Sequence, residues 1–195
     1  MINRKLTFDN IRRQFGKLTI SQVQGFEATF DEWEAGEYKD TRWLAYILAT
    51  AWHETARTMQ PIEEYGKGRK RIYGKKIKHS GQAYLSPDKI FYGRGFVQLT
   101  WYENYQLMGK LLGIDLLNHP ELALVMLNAV KIMFEGMTKG SSSFGDFTGR
   151  CLEQYFNDKT NDPIGARKII NGTDRASLIA DYHNEFLKSI IIKQL

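Results

Sequence analysis

The chain has one cysteine, four prolines and no long apolar run among its 195 residues, and each scarcity removes a class of protein. A lone Cys151 cannot close an internal disulfide, so the core must hold the fold without oxidative help, as suits maturation in a reducing cytoplasm. With no histidine near it in sequence, Cys151 reads as a small buried residue and not as a nucleophile. Behind the basic residues of the first seven positions there is no continuous apolar segment, so neither a secretory signal peptide nor a membrane anchor is visible. His53-Glu54 opens the zinc-protease pattern H-E-x-x-H, but Arg57 stands where the second histidine belongs. Gly66-Lys67-Gly68 lacks the spacing and the Gly-Lys-Ser/Thr ending of a phosphate loop. Residues 157–162 offer oxygen ligands without the central glycine and closing glutamate of a calcium loop. No metal and no cofactor is therefore expected. Repeats and low-complexity linkers are missing too, and the length suits a single domain with its own core. What is present is an ordinary globular composition, 43% hydrophobic and 25% charged, which argues against disorder. The formal charge of +5 points to an anionic partner or surroundings without choosing among nucleic acid, bacterial envelope and acidic polysaccharide.

The stretch from Asp40 to Gly66 organises the rest. Leu44, Ile47, Leu48 and Ala51 recur at helical spacing behind a capping Asp40 or Thr41, which predicts a helix over 41–60. Pro61 sets its end, because the residue before a proline is pushed out of the helical region; Ile62, Glu63 and Glu64 then fall in a loop. Glu54 stands seven residues after Ile47, about 20° from it around the helix, and so turns with the apolar stripe. Burial and the negative end of the helix dipole both penalise its charged form, which would make it a proton donor. Glu63 and Glu64, wetter, are the partners that stay ionised, and such a pair equips a site for acid–base hydrolysis. The plainer reading of Glu54 is a surface glutamate whose stem packs inward.

Before this stretch, a helix over 6–15 with Phe8, Ile11 and Phe15, and a Thr19-capped helix ending at Gly36 with Val23, Phe26, Phe30 and Trp33, form a helical buttress over residues 1–36. Residues 66–92 change character. Glycines 66, 68, 74 and 81 alternate with Lys67, Arg69, Lys70, Arg71, Lys75, Lys76 and Lys78, and tyrosines 65, 73 and 84 are scattered through, which predicts a small irregular β-hairpin or loop lobe. The same interleaving would suit a groove for single-stranded nucleic acid, or simply a solvated charged loop. In Tyr92-Gly93-Arg94-Gly95-Phe96-Val97-Gln98-Leu99-Thr100 the two glycines allow close backbone approach, and the alternation after them turns Gln98 and Thr100 to one side. Helices are predicted from Glu103 to Gly113 and from Pro120, the second capped by Asn118 or His119 with Leu122, Met126, Leu127, Val130 and Phe134 as a packed stripe. A serine-rich loop over 140–145, a short helix through Leu152, Tyr155 and Phe156, and an Asp162-capped helix running to Asn171-Gly172 follow. The last helix starts at Asp174–Arg175 and packs Leu178, Ile179, Tyr182, Phe186 and Ile190.

In this order His53-Glu54-Thr55, the block from Tyr92 to Thr100, Asn104-Tyr105 and Ile169-Ile170-Asn171-Gly172 together resemble glycoside hydrolase family 19, which includes plant-type chitinases and bacteriophage endolysins. The resemblance covers roughly Trp43 to Phe186, and Tyr-Gly-Arg-Gly-x-x-Gln-Leu-Thr is its most specific part. It implies a mainly α, lysozyme-like α+β fold, a bilobed helical domain with a small β-hairpin lobe and a central glycan cleft, and inverting hydrolysis without a metal. By position Glu54 resembles the general acid, Glu63 or Glu64 the general base, and Thr100 the residue that holds the attacking water. Asn104 and Asn171 resemble sugar-binding residues, and His53, Tyr92, Arg94 and Gln98 resemble those that shape the cleft. Inversion requires the two carboxyl groups to stand roughly 6.5–9.5 Å apart, leaving room for water. The spacing in short phage relatives favours Glu63 as base; the glutamate followed shortly by glycine in chitinases favours Glu64. The longer loops and the cysteines of the chitinases are missing here.

The short chain, lone cysteine, missing signal and missing chitin-binding module point within that family to the endolysin type. The expected activity is a muramidase- or glucosaminidase-type cleavage of peptidoglycan for cell lysis, by a monomer made in the host cytoplasm and released to the cell wall through a holin-type pore. Neither membrane insertion nor nucleic-acid binding is expected. Two rivals stand beside this expectation: a chitinase acting on β-1,4-linked N-acetylglucosamine polymers, and a non-catalytic module that binds glycan or nucleic acid through the basic lobe.

Overall fold

The hub is the helix whose apolar stripe is the longest. α3 (Thr41–Glu54) is capped by Asp40, whose carboxylate accepts the Arg42 N–H at 2.9 Å, and every residue from Leu44 to Trp52 is buried. The computed structural model, which describes residues 1–36, 38–139 and 147–193, packs α3 along the C-terminal helix α6 (Ala176–Ser189). A helix buried on all sides needs neighbours on all sides. α1 (Arg4–Phe15) and α2 (Ile20–Ala35) supply one side through Phe8, Phe26 and Phe30, and Phe15 stacks on Phe186 of α6 at 4.5 Å. The buttress expected from the first 36 residues is thus present. α2 opens on a reciprocal capping box between Thr19 and Gln22 and stops at Gly36, where the sequence places its ends.

α3 itself ends at Glu54, six residues before the end that Pro61 predicts. The Thr55 hydroxyl donates to the Ala51 carbonyl at 2.7 Å and accepts the Met59 N–H at 3.0 Å, and Ala56, Arg57 and Met59 all take left-handed backbone angles. Each such residue costs of order 1–2 kcal/mol. Their return is the seat of Met59, fully buried, with its carbonyl pressed on α2 where only a glycine, Gly25, leaves space. A tertiary contact ends the helix, and Glu54 becomes its last residue.

Beyond Pro61, β1 (Ile62–Glu63) pairs antiparallel with β2 (Arg94–Gly95), Ile62 opposite Gly95 and Glu63 opposite Arg94. The small sheet expected in the basic lobe therefore lies at its base and ties its two ends together. Within the lobe the regular structure is one 3-10 turn, Ile72–Lys75, and one isolated bridge between Ile77 and Ala83. α4 (Tyr102–Leu112) follows and ends at Gly113 with φ 67°. The helix predicted from Pro120 is split. A 3-10 turn, Pro120–Leu124, is separated by extended Val125 from α5 (Met126–Thr138), and the Leu122 carbonyl at the break accepts both the Val125 N–H and the Asn128 side chain. The break turns Leu127 outward, 57% exposed, whereas the stripe had it packed. The two short helices predicted between 150 and 172 are single 3-10 turns, Leu152–Gln154 and Gly165–Ile169. The serine-rich stretch 140–145 lies outside the described residues. Among the described residues no helix is long and apolar enough to cross a membrane.

Candidate active site

Glu54 emerges at the C-terminal end of α3 and meets a cation that no local pattern announces. Arg167, in the 3-10 turn Gly165–Ile169, donates from Nη1 to Glu54 Oε1 at 2.6 Å and from Nε to the Asp174 carbonyl at 2.8 Å. Arg167 is 2% exposed at its side chain and Glu54 17%, so the pair is held in protein and screened little by solvent. A helix terminus acts on a charge with about 0.3–1 kcal/mol, less than the roughly 1.5–3 kcal/mol of a hydrogen bond to a charged group. The guanidinium therefore fixes the Glu54 carboxyl group as its ion-pair partner. It engages Oε1 alone, which leaves Oε2 as the oxygen that can carry a proton. His53, half-buried beside it, has its imidazole pushed below the ordinary histidine range by burial, with Glu54 pulling the other way.

Strand alternation sends Glu63 and Glu64 to different surroundings. Glu63 accepts the Tyr92 hydroxyl at 2.6 Å on Oε1 and the Lys67 ammonium at 3.1 Å on Oε2, and its side chain keeps 36% of its surface open. The Tyr92 O–H bond holds this carboxyl below the usual glutamate range; Lys67 adds to the effect and partial burial opposes it. Glu64 has both oxygens occupied by the framework. Tyr73 donates to Oε1 at 2.9 Å, the Gly93 N–H to Oε2 at 3.1 Å, and the Glu64 N–H donates to the Gly93 carbonyl at 2.8 Å. Burial, and then that bond to Glu64, push the Tyr73 phenol up to about 12.

The residues of the Tyr-Gly-Arg-Gly block divide between framework and cleft. Arg94 is buried with its guanidinium 3.5 Å from the Tyr92 ring, bonded to the Ile90 carbonyl and to the Tyr105 hydroxyl, which itself donates to the Tyr92 carbonyl at 2.8 Å. Arg94 and Tyr105 therefore fix Tyr92, which in turn holds Glu63. Gln98 donates to the Ile62 carbonyl at 3.1 Å, locking the block onto β1, and a Cβ at position 93 would come within 2.7 Å of Gln98 Oε1. A larger residue at position 93 would have to displace the Gln98 amide.

A cavity of about 1070 Å³ opens alongside, lined by Gln98, Thr100, Trp101 and Asn104, by His79 and Ser80 of the lobe, and by Thr148 and Ile170 from the far side. Glu54, Glu63 and Glu64 do not line it, and its acidic lining residue is Glu103; Glu54 and Glu63 are connected to the lining through neighbouring residues. Ile170 follows Arg167 by three residues, and Gln98 is bonded to the residue before Glu63. Asn171 is exposed immediately after Ile170, with no side-chain hydrogen bond among the described residues. Thr100 and Asn104 share the cavity wall with Gln98, but not through the extended piece that the alternation predicts: Arg94 and Leu99 exchange backbone hydrogen bonds across a tight turn in which Gln98 takes φ 54°.

Two residues of this site escaped the reading of the sequence. Arg167 lies 113 positions from the carboxylate it holds, and nothing local marks it. Trp101 lines the cavity with a left-handed backbone, φ 71°, and meets Tyr73 at 5.4 Å and His79 at 5.0 Å between ring centroids. An aromatic directly after Gln98-Leu99-Thr100 was the available signal. A left-handed conformation in so bulky a residue is rare and persists only where its surroundings impose it.

A helical body with a two-stranded sheet at the foot of a side lobe is a mainly α, lysozyme-like architecture of the kind glycoside hydrolases use. The sequence model of glycoside hydrolase family 19, chitinase class I, matches residues 20–139, more than half of the chain. The chain belongs to that family. Chitinase C from Streptomyces griseus HUT6037 shares the fold with a TM-score of 0.60 at 20% identity, over 96% of this chain and 77% of that one. Endochitinase At2g43620 of Arabidopsis thaliana is 36% identical over 103 residues, 51% of this chain and 33% of the plant protein. An inactive chitinase-like protein 1 from Hevea brasiliensis is 54% identical over 37 residues, 19% of this chain and 12% of that protein. The matched region thus spans a third or less of these curated relatives.

Proposed function

We propose that this chain hydrolyses β-1,4-linked glycans containing N-acetylglucosamine by an inverting mechanism, with Glu54 as general acid and Glu63 as general base. The observation that carries the assignment is the contrast between the adjacent glutamates. Both carboxylates have both oxygens engaged, but Glu64 is tied to the backbone N–H of Gly93 and to Tyr73, whereas one Glu63 oxygen meets only the exposed Lys67 ammonium and its side chain keeps 36% of its surface open to water. In the reaction Glu54 passes a proton from Oε2 to the glycosidic oxygen as the bond from the anomeric carbon to that oxygen breaks. A water attacks the same carbon from the opposite face, oriented by Thr100, and gives its proton to Glu63, so the new reducing end has the α configuration. Asn104 and Gln98 line the sugar path, and Asn171 stands at its edge. Arg167 keeps the acid's carboxyl group oriented.

Chitin is the substrate that the relatives' names support. Membership alone does not carry activity, since one relative is named as inactive, and the reading therefore rests on the carboxyl groups. Peptidoglycan, with release to the cell wall through a pore, is the second reading; the dense positive charge of the lobe favours it, because chitin is neutral. Products released by the wild type and by Glu54→Gln, Glu63→Gln and Glu64→Gln from chitin hexasaccharide and from purified sacculi, identified by mass spectrometry, test both. Glu54→Gln and Glu63→Gln should lose on the order of 10²–10⁴ in rate, the usual share of general acid–base catalysis, and Glu64→Gln should keep most of it. Full activity in Glu54→Gln, or loss in Glu64→Gln with Glu63→Gln active, would overturn the assignment. Binding without turnover by the wild type would leave a non-catalytic module.

A further inference from the structure

The charge of this protein is concentrated in one place. Residues 65–89 carry eight lysines and arginines against Asp88 alone, a formal +7, although the whole chain is only +5, so everything outside the lobe is net negative at −2. Like charges gathered in 25 residues repel one another, and a set this dense calls for counter-charges of its own. Three of the eight have internal work. Lys67 pairs with Glu63, Lys76 pairs with Asp88, and the Lys78 ammonium sits 4.7 Å from the centre of the Tyr102 ring. Arg69, Lys70, Arg71, Lys75 and Lys89 are exposed, and their side chains make no ion pair or hydrogen bond among the described residues.

The lobe is also fixed beside the cavity. Tyr73 is bonded to Glu64 and meets Trp101 edge-on, His79 meets the same ring, and His79 and Ser80 are part of the cavity lining. The screening length is about 8–10 Å at physiological salt, so a cation on this lobe within that distance of the groove would act on substituents of a strand lying in it. From this placement we infer that Arg69, Lys70, Arg71 and Lys75 select glycan strands that bear carboxylates, holding those substituents at the rim while the sugar backbone occupies the cleft. This inference rests on the hydrolase reading and narrows its substrate to an anionic, carboxylate-substituted glycan. Neutral chitin would be cleaved without help from the lobe.

The test compares the wild type with Arg69→Gln/Lys70→Gln/Arg71→Gln/Lys75→Gln on three substrates: purified sacculi, sacculi whose carboxylates have been capped as methylamides, and neutral chitin hexasaccharide. All four positions are exposed, and thermal melting checks that the variant folds. At low salt the variant should need about tenfold more sacculi for half-maximal rate, with its limiting rate unchanged, as four exposed charges of modest individual effect imply. That difference should vanish at high salt, capping should impose the same loss on the wild type, and turnover of chitin hexasaccharide should be equal in both proteins. Equal losses on chitin and sacculi, or no loss on sacculi, would overturn the inference. So would a variant that cleaves sacculi normally but no longer binds anionic vesicles or single-stranded DNA, which would assign the lobe to another partner. A wild type that cleaves none of the three would end the hydrolase reading and this inference with it. Turnover of chitin with no preference for uncapped sacculi would leave the hydrolase standing and remove only the lobe's role.

Discussion

Replacing Arg167 by Met removes the buried cation that faces Glu54, and the magnitude of the effect should depend on pH in a calculable way. Breaking a buried pair from one side typically costs about 3–5 kcal/mol, because the remaining charge has no partner. Glu54 has an escape: it can take up a proton. From pH 7 that escape costs at most about 3.7 kcal/mol, at about 1.36 kcal/mol for each unit above a free glutamate's value of about 4.3. At pH 5 the same escape costs only about 1 kcal/mol. The part of the penalty that comes from the orphaned carboxylate should therefore shrink by up to about 2.7 kcal/mol between the two pH values. What remains is the lost packing of a side chain 2% exposed and the unpaired Asp174 carbonyl. Urea unfolding of the wild type, Arg167→Met and Arg167→Met/Glu54→Gln at pH 7 and pH 5 measures this. Titrations elsewhere in the protein cancel in the differences, and the double variant should be more stable than the single one at pH 7. An Arg167→Met penalty equal at both pH values, or no rescue by Glu54→Gln, would refute the pairing as an energetic unit.

Tyr92→Phe removes the hydroxyl that holds Glu63 below the usual carboxyl range, so the acidic limb of the pH profile of kcat/KM should move to higher pH, with the basic limb unchanged. His183, 1% exposed and stacked on Phe156 at 5.1 Å, has its imidazole pushed down by burial. Its folded-state value lies below its unfolded value of about 6.5, so the unfolded chain binds more protons below that pH and stability should fall as pH drops through it. His183→Phe should flatten that slope in melting curves taken between pH 7 and pH 5, leaving the contribution of His53, shifted the same way. Gly25→Ala forces a methyl group into the Met59 carbonyl and should cost roughly 1–3 kcal/mol or more in urea unfolding; a neutral result would mean that the chain after α3 is not seated on α2.

Helix starts and stops governed by neighbouring residues could be read in advance. Thr19 and Gln22 cap α2, Gly36 and Gly113 end α2 and α4, and Asp40 opens α3, because each effect acts across a few residues of one chain segment. The end of α3 could not. Pro61 is a valid stop, but the chain leaves the helix earlier to seat Met59 against Gly25, a contact between residues 34 positions apart. Leu127 fits a helical stripe that exists only if Pro120–Phe134 is one helix, and the extended Val125 rotates it away. At the site, Gln98, Thr100 and Asn104 were marked by the motif, whereas the alternation after the glycines misled, because the chain turns back on itself between Arg94 and Leu99. The choice between Glu63 and Glu64 needed the partners of each carboxylate, and those come from Tyr92, Gly93 and Tyr73. Arg167 was invisible for the same reason: its role is set by the turn after Asp162 packing against α6, which brings its side chain to the end of α3.

Fresh cleavage of chitin hexasaccharide followed by proton NMR, before mutarotation equilibrates the product, reads the stereochemistry of the reaction directly. With Glu63 activating water on the face opposite the leaving group, the first reducing ends formed should be α. Reducing ends that first form as β would require a covalent or substrate-assisted intermediate, and would contradict the pairing of Glu54 with Glu63 across a water.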